Sequence, residues 1–118
     1  MYARSRQVVY DETLPIEMAA AELDLERLRR GFAELFDRAA QAVQLAGYEQ
    51  DDVVLERFLI VRTVCGEEMT LSAEWLSDRE RLVQHLVREC RGIIGQRLDF
   101  SDVRVIGLRI AAGRDEWG

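Results

Sequence analysis

The chain has 118 residues and a formal charge of −6, from 16 basic and 22 acidic side chains. That length holds one domain, and 48% hydrophobic with 32% charged residues excludes a disordered chain. No apolar run approaches the roughly 20 residues that cross a bilayer, and Met1 to Arg6 lacks an apolar signal core, so a cytoplasmic location is expected.

The first segment, Arg6 to Leu14, carries Val8, Val9, Tyr10 and Thr13, the β-branched and aromatic types that suit a strand, and Pro15 is expected to stop it. Ile16 to Leu23 reads equally as an arm or as a helical lead-in. From Leu25 onward, Leu28, Phe32, Leu35, Phe36, Ala39 and Val43 recur at steps of three and four, which makes one apolar helical stripe. Asp24 suits its N-cap and Gly47 its C-terminal stop. Gly31 lies inside this helix, where close packing would explain it.

Asp52 to Thr63 is dense in Val, Leu, Ile and Phe and predicts a second strand. Cys65-Gly66 marks a tight turn, and Glu68 to Ser72 completes a hairpin. Ser77 and Glu80 form a capping box before a second helix, whose stripe is Leu82, Val83, Leu86, Val87, Cys90, Ile93 and Ile94. Val103 to Ala111 predicts the last strand, with residues 112–118 as a tail. The order βαββαβ predicts a single ferredoxin-like α+β sandwich over 1–118: a four-stranded antiparallel sheet with two helices on one face.

Such a sheet leaves one face bare. Alternation splits the second strand into Val54, Phe58, Ile60 and Val64 against Val53, Leu55, Leu59 and Val61. It splits the last strand into Ile106, Leu108 and Ile110, the better core set, against Val103, Val105, Gly107 and Arg109. The bare face is then partly apolar, and Leu55, Leu59, Val61 and Val105 are its expected protein interface, most simply in a homodimer. Cover by the chain's own tail or by Ile16 to Leu23, or a small-molecule pocket, are the alternatives.

Catalytic signatures are missing: no Gly-rich phosphate loop, G-x-S-x-G, H-E-x-x-H or C-x-x-C occurs. Cys65 and Cys90 read as free thiols, and with His85 the only histidine no metal or other cofactor is expected. His85 falls beside the stripe of the second helix, as a half-buried or solvated side chain. All 16 basic residues are arginines. Those of the helices, including Arg79, Arg81 and Arg88, read as solvated faces. Gln96 to Phe100 faintly resembles sliding-clamp-binding peptides, but its leucine is out of register.

Three stretches, with the element order, resemble the little-finger domain of Y-family translesion DNA polymerases. Val103-Arg104-Val105-Ile106-Gly107-Leu108-Arg109-Ile110 is similar to that domain's closing strand. Arg6, Val8, Asp11, Thr13 and Leu14 fit its opening strand, and Thr70-Leu71 with Asp78 and Leu82 fit the turn into its second helix. The resemblance implies a sheet laid along DNA that grips phosphates through arginines, here Arg6, Arg57, Arg62, Arg104 and Arg109, with no polymerase chemistry. Glu12, Glu67 and Glu68 depart from the family by reversing charge at phosphate-facing positions, and ion pairs to them and to Glu56 would consume the arginines. The expected function is a stand-alone, non-catalytic module linked to DNA repair or lesion bypass, docking on DNA or on a replication protein. The alternative is an acidic homodimerisation or protein-interaction module with no nucleic-acid role. No membrane partner is expected.

Overall fold

Strand, helix, strand, strand, helix and strand follow one another as the periodicities require, in a computed structural model that describes residues 5–73, 78–94 and 102–116. They are β1 (Ser5–Ala19), α1 (Leu25–Leu45), β2 (Val53–Thr63), β3 (Glu68–Ser72), α2 (Arg79–Ile94) and β4 (Val103–Glu116). The sheet order is β1-β4-β2-β3, and each neighbouring pair is antiparallel. β1 and β2 therefore run parallel with β4 between them, and β3 and β4 run parallel with β2 between them. These are two interleaved split βαβ units, a ferredoxin-like α+β fold.

Local chemistry sets the helix ends. The Asp24 carboxylate accepts the Arg27 N–H at 3.3 Å at the start of α1. At its end Gly47 takes φ +87°, the Gly47 N–H donates to Gln44 O and the Tyr48 N–H to Val43 O. That paired pattern is the Schellman stop, which needs a left-handed residue at this glycine. At α2 the Asp78 carboxylate accepts the Arg81 N–H at 3.3 Å. The expected cap Ser77 lies outside the described residues, as do the Gln96 to Phe100 segment and the side chains of Ile93 and Ile94.

Leu28, Phe32, Leu35 and Ala39 of α1 and Leu82, Val83, Leu86, Val87 and Cys90 of α2 are buried against one face of the sheet. Gly31 lets α1 approach closely: a Cβ there would overlap Leu108 Cδ1 and stand 3.4 Å from Leu14 Cδ2.

Both strand ends differ from expectation. β1 runs through Pro15 to Ala19, and a 3-10 turn, Ala20–Glu22, follows. β1 is an edge strand, so half its N–H groups need no partner and a proline is tolerated there. The residues expected as a tail continue β4 instead. Ala112 pairs with Tyr10 and Leu55, and Gly113 with Val8 and Val54. Flanked on both sides, β4 is held by hydrogen bonds that the sequence of 112–116 does not advertise.

The largest correction concerns which residues face the helices. β4 takes an extra residue opposite β2: Gly107 pairs with Ile60 and Val105 with Val61, so Ile106 has no partner of its own. Such a bulge reverses the alternation. Val103 and Val105 point inward before it, and Leu108, Ile110 and Ala112 point inward after it, all fully buried. Leu59 and Val61 are likewise fully buried, and Leu55 packs against the same core. The expected interface Leu55, Leu59, Val61 and Val105 is therefore core, and Arg109 lies on the face opposite Val105.

Candidate functional site: the open face of the sheet

The face away from the helices is built from alternate residues of all four strands in register. At one end, Arg104 of β4 and Arg62 of β2 are register partners. Each turns to a carboxylate on its outer neighbour: Arg104 Nη2 lies 3.1 Å from Glu17 Oε1 on β1, and Arg62 Nε and Nη2 donate to Glu68 Oε1 on β3 at 3.2 and 2.5 Å. The row across the sheet reads acid, base, base, acid.

The next row carries no charge. Pro15 pairs with Gly107, Gly107 with Ile60, and Ile60 with Thr70. A Cβ on Gly107 would stand 3.2 Å from Ile60 Cδ1 and 3.5 Å from Thr13 Cγ2, so the glycine lets these side chains close over β4.

Beyond it, Arg109 pairs in register with both Phe58 and Thr13. Its guanidinium lies over the Phe58 ring, 5.7 Å from the centroid, and binds Asp11 bidentately through Nε at 2.9 Å and Nη2 at 2.5 Å. Those hydrogen bonds hold the Asp11 carboxyl below its ordinary range and raise the guanidinium pKa further. Charge-assisted forks of this kind fix geometry, and the ring beneath adds a cation–π contact.

Of the five arginines expected to grip phosphate, three, Arg62, Arg104 and Arg109, share this face, and each is matched by a carboxylate one strand away. Arg57 lies on the other face: it shares a side with Leu59 and Val61, as its spacing predicts, but that is the helix side. The Arg6 side chain lies outside the described residues. Glu12 also departs from expectation. Its register partner is the buried Ile110, and its carboxylate accepts from Tyr10 OH at 2.7 Å and from Arg38 Nη1 of α1 at 2.9 Å. It ties β1 to α1 instead of opposing a phosphate. The Tyr10 hydrogen bond, ahead of Arg38, lowers the Glu12 pKa, and the same bond raises that of the phenol.

Two features escaped the sequence. Arg79, expected on a solvated face, donates Nε to Leu23 O at 2.7 Å and Nη2 to Ala21 O at 2.8 Å, anchoring the start of α2 to the turn before α1. A cleft of about 320 Å³ opens on the helix side, lined by Phe36, Ala40, Val43, Asp51, Val53 and Leu55. Phe36 alone signals it, as a stripe residue that stays exposed. His85 is half-buried as expected, its Nδ1 3.9 Å from Glu89 Oε1. No helix among the described residues is long and apolar enough to cross a membrane.

No family model matches the chain, and no curated protein does. Among solved structures it is similar to one described as the mechanism of ATP-dependent acetone carboxylation, the nucleotide-free structure of acetone carboxylase. The TM-score is 0.64, with 18% identity over 94% of this chain and 17% of that chain. At that identity the likeness is one of fold, to a small part of a much longer protein.

Proposed function

We propose that this chain is a non-catalytic docking module whose open sheet face binds a protein partner. The reading rests on the pairing of Arg62, Arg104 and Arg109 with Glu68, Glu17 and Asp11 around the half-buried Phe58 and Ile60. An apolar centre rimmed by both signs of charge is the ordinary composition of a protein interface, where rim charges select the partner and its orientation. A phosphate backbone needs the opposite. It is held by unmatched cations and repelled by the acids at Asp11, Glu17 and Glu68, and the chain as a whole carries −6. The pairs are solvated, so they hold weakly and a partner's own charges can displace them.

DNA docking, which the little-finger resemblance implies, is the reading to eliminate. Fluorescence anisotropy with primer–template and single-stranded DNA from about 20 mM salt should show no saturable binding at micromolar protein. Saturable binding that weakens with a log–log salt slope of roughly −3 to −5 would mean about that many phosphate contacts and would overturn the proposal. Affinity capture with the wild type and with Ile60→Asp supplies the positive arm: a partner retained by the first and lost by the second is expected.

A further inference from the structure

The open face of β2 carries the same chemistry read from either end. Its outward residues are Val54, Glu56, Phe58, Ile60 and Arg62. Val64 continues them one residue past the strand: Thr63 donates to Glu67 O on the β3 side and Val64 to Asp102 O on the β4 side, so the alternation persists. Counted outward from Leu59, Phe58 matches Ile60, Glu56 matches Arg62, and Val54 matches Val64. Apolar stands against apolar, acid against base, and apolar against apolar. The outermost pair is exposed, Val54 at 43% and Val64 at 67%.

The other strands share this centre. Leu59 is in register with Leu71 of β3 and Leu108 of β4, and Leu108 with Leu14 of β1. On one side of these leucines the open-face row is Thr13, Arg109, Phe58 and Ser72; on the other it is Pro15, Gly107, Ile60 and Thr70. One row further out, Asp11 and Glu56 flank Ala111 at one end, and Arg104 and Arg62 stand side by side at the other. The face is open across its width: Asp11, Thr13 and Pro15 on β1, Arg104 on β4, Arg62 on β2 and Thr70 on β3 are all exposed.

We propose that a second copy of this chain seats on this face, about a two-fold axis that crosses the strands over Leu14, Leu108, Leu59 and Leu71. The inference rests on the sheet-face reading above and names its partner. In a two-fold interface, where residue i meets j, j meets i, and the order of residues on β2 meets that condition. Phe58 packs on the second copy's Ile60, Glu56 meets its Arg62, and Val54 meets its Val64. Arg109 lies over the second copy's Gly107, where no side chain stands. On the β1 flank Asp11 and the second copy's Glu17 come together as like charges, but Arg109 and Arg104 already neutralise them. Sheets stack about 10 Å apart with their strands within about 30° of alignment, which suits this arrangement. Four strands spaced about 4.8 Å and about ten residues rising about 3.4 Å each give about 600 Å² per copy, the lower end of stable interfaces. The dimer is therefore reversible. The charge of −6 on each copy opposes it at low salt and is screened beyond about 8 Å at physiological ionic strength.

Sedimentation equilibrium of the full chain at physiological salt, from micromolar to millimolar protein, should show reversible monomer–dimer exchange. Ile60→Asp should weaken it roughly tenfold or more. Glu56→Arg and Arg62→Glu should each weaken it by a similar factor, because each sets like charges against one another at both symmetry-related contacts. An equimolar mixture of these two variants should restore the dimer, since every contact then joins arginine to glutamate. A monomer mass up to millimolar protein would overturn the inference and leave the sheet-face reading to the capture experiment, which detects a different partner. A dimer indifferent to Ile60→Asp, or two charge variants that fail to complement each other, would overturn it equally. Should Glu56→Arg fail to fold, Val64→Asp, a change at an exposed position, still decides: a dimer that it leaves unaltered is not this one.

Discussion

Replacing Gly31 and Gly92 by alanine should move stability in opposite directions, although both are helical glycines. Helix propensity favours alanine over glycine by about 1 kcal/mol. At Gly92 of α2 nothing lies within 4 Å of a new Cβ, so Gly92→Ala should realise most of that gain. At Gly31 the new Cβ overlaps Leu108 Cδ1. Leu108 is fully buried in the core, so its side chain must shift within packed surroundings, and overpacking of this kind costs about 1–3 kcal/mol. The net for Gly31→Ala is a loss of about 0–2 kcal/mol, against a gain of about 0.5–1 kcal/mol for Gly92→Ala. Chemical denaturation of the two variants beside the wild type reads the difference directly. A double-mutant cycle with Leu108→Ala isolates the contact: Leu108→Ala alone should cost about 2–5 kcal/mol, and less in the Gly31→Ala background, where the added methyl fills part of the cavity. If Gly31→Ala stabilises as much as Gly92→Ala, or the cycle closes with no coupling, helix α1 does not lie against β4 as described.

Asp11→Asn should weaken the chain at neutral pH by less than about 1 kcal/mol, since the pair with Arg109 is about one-third exposed and solvent screens it. Because Arg109 holds the Asp11 pKa below its unfolded value, the stabilisation is present above about pH 4 and is lost as pH falls through the folded-state pKa. The gap between wild type and Asp11→Asn should therefore narrow in acid, and a gap that widens there would contradict the pairing. The two thiols should separate kinetically under a disulfide-exchange reagent. Cys65 is exposed and should react at once; Cys90 is buried, burial pushes its thiol pKa up, and it should react only as fast as the chain opens. Two fast thiols would mean that α2 does not seal the core.

Periodicity was enough for the order of elements. The stripe from Leu28 to Val43 could bury itself only as a helix, and the chemistry of Asp24 and Gly47 ended that helix where the structure ends it, because caps are local. The arginines and acids of the open face were legible as residue types, and so was the chance that they would pair. That Arg104 and Arg109 would share one face was not, because strict alternation puts them on opposite sides. That depended on Ile106, one residue added to β4 opposite β2, which turned Val105 inward and left Arg109 outward. A bulge is decided by how two strands far apart in sequence share hydrogen bonds, and within Val103 to Ile110 only the isolated Gly107 hints at it. Pro15 is a similar case: it stops a central strand but not an edge strand, and only the order β1-β4-β2-β3 made β1 an edge.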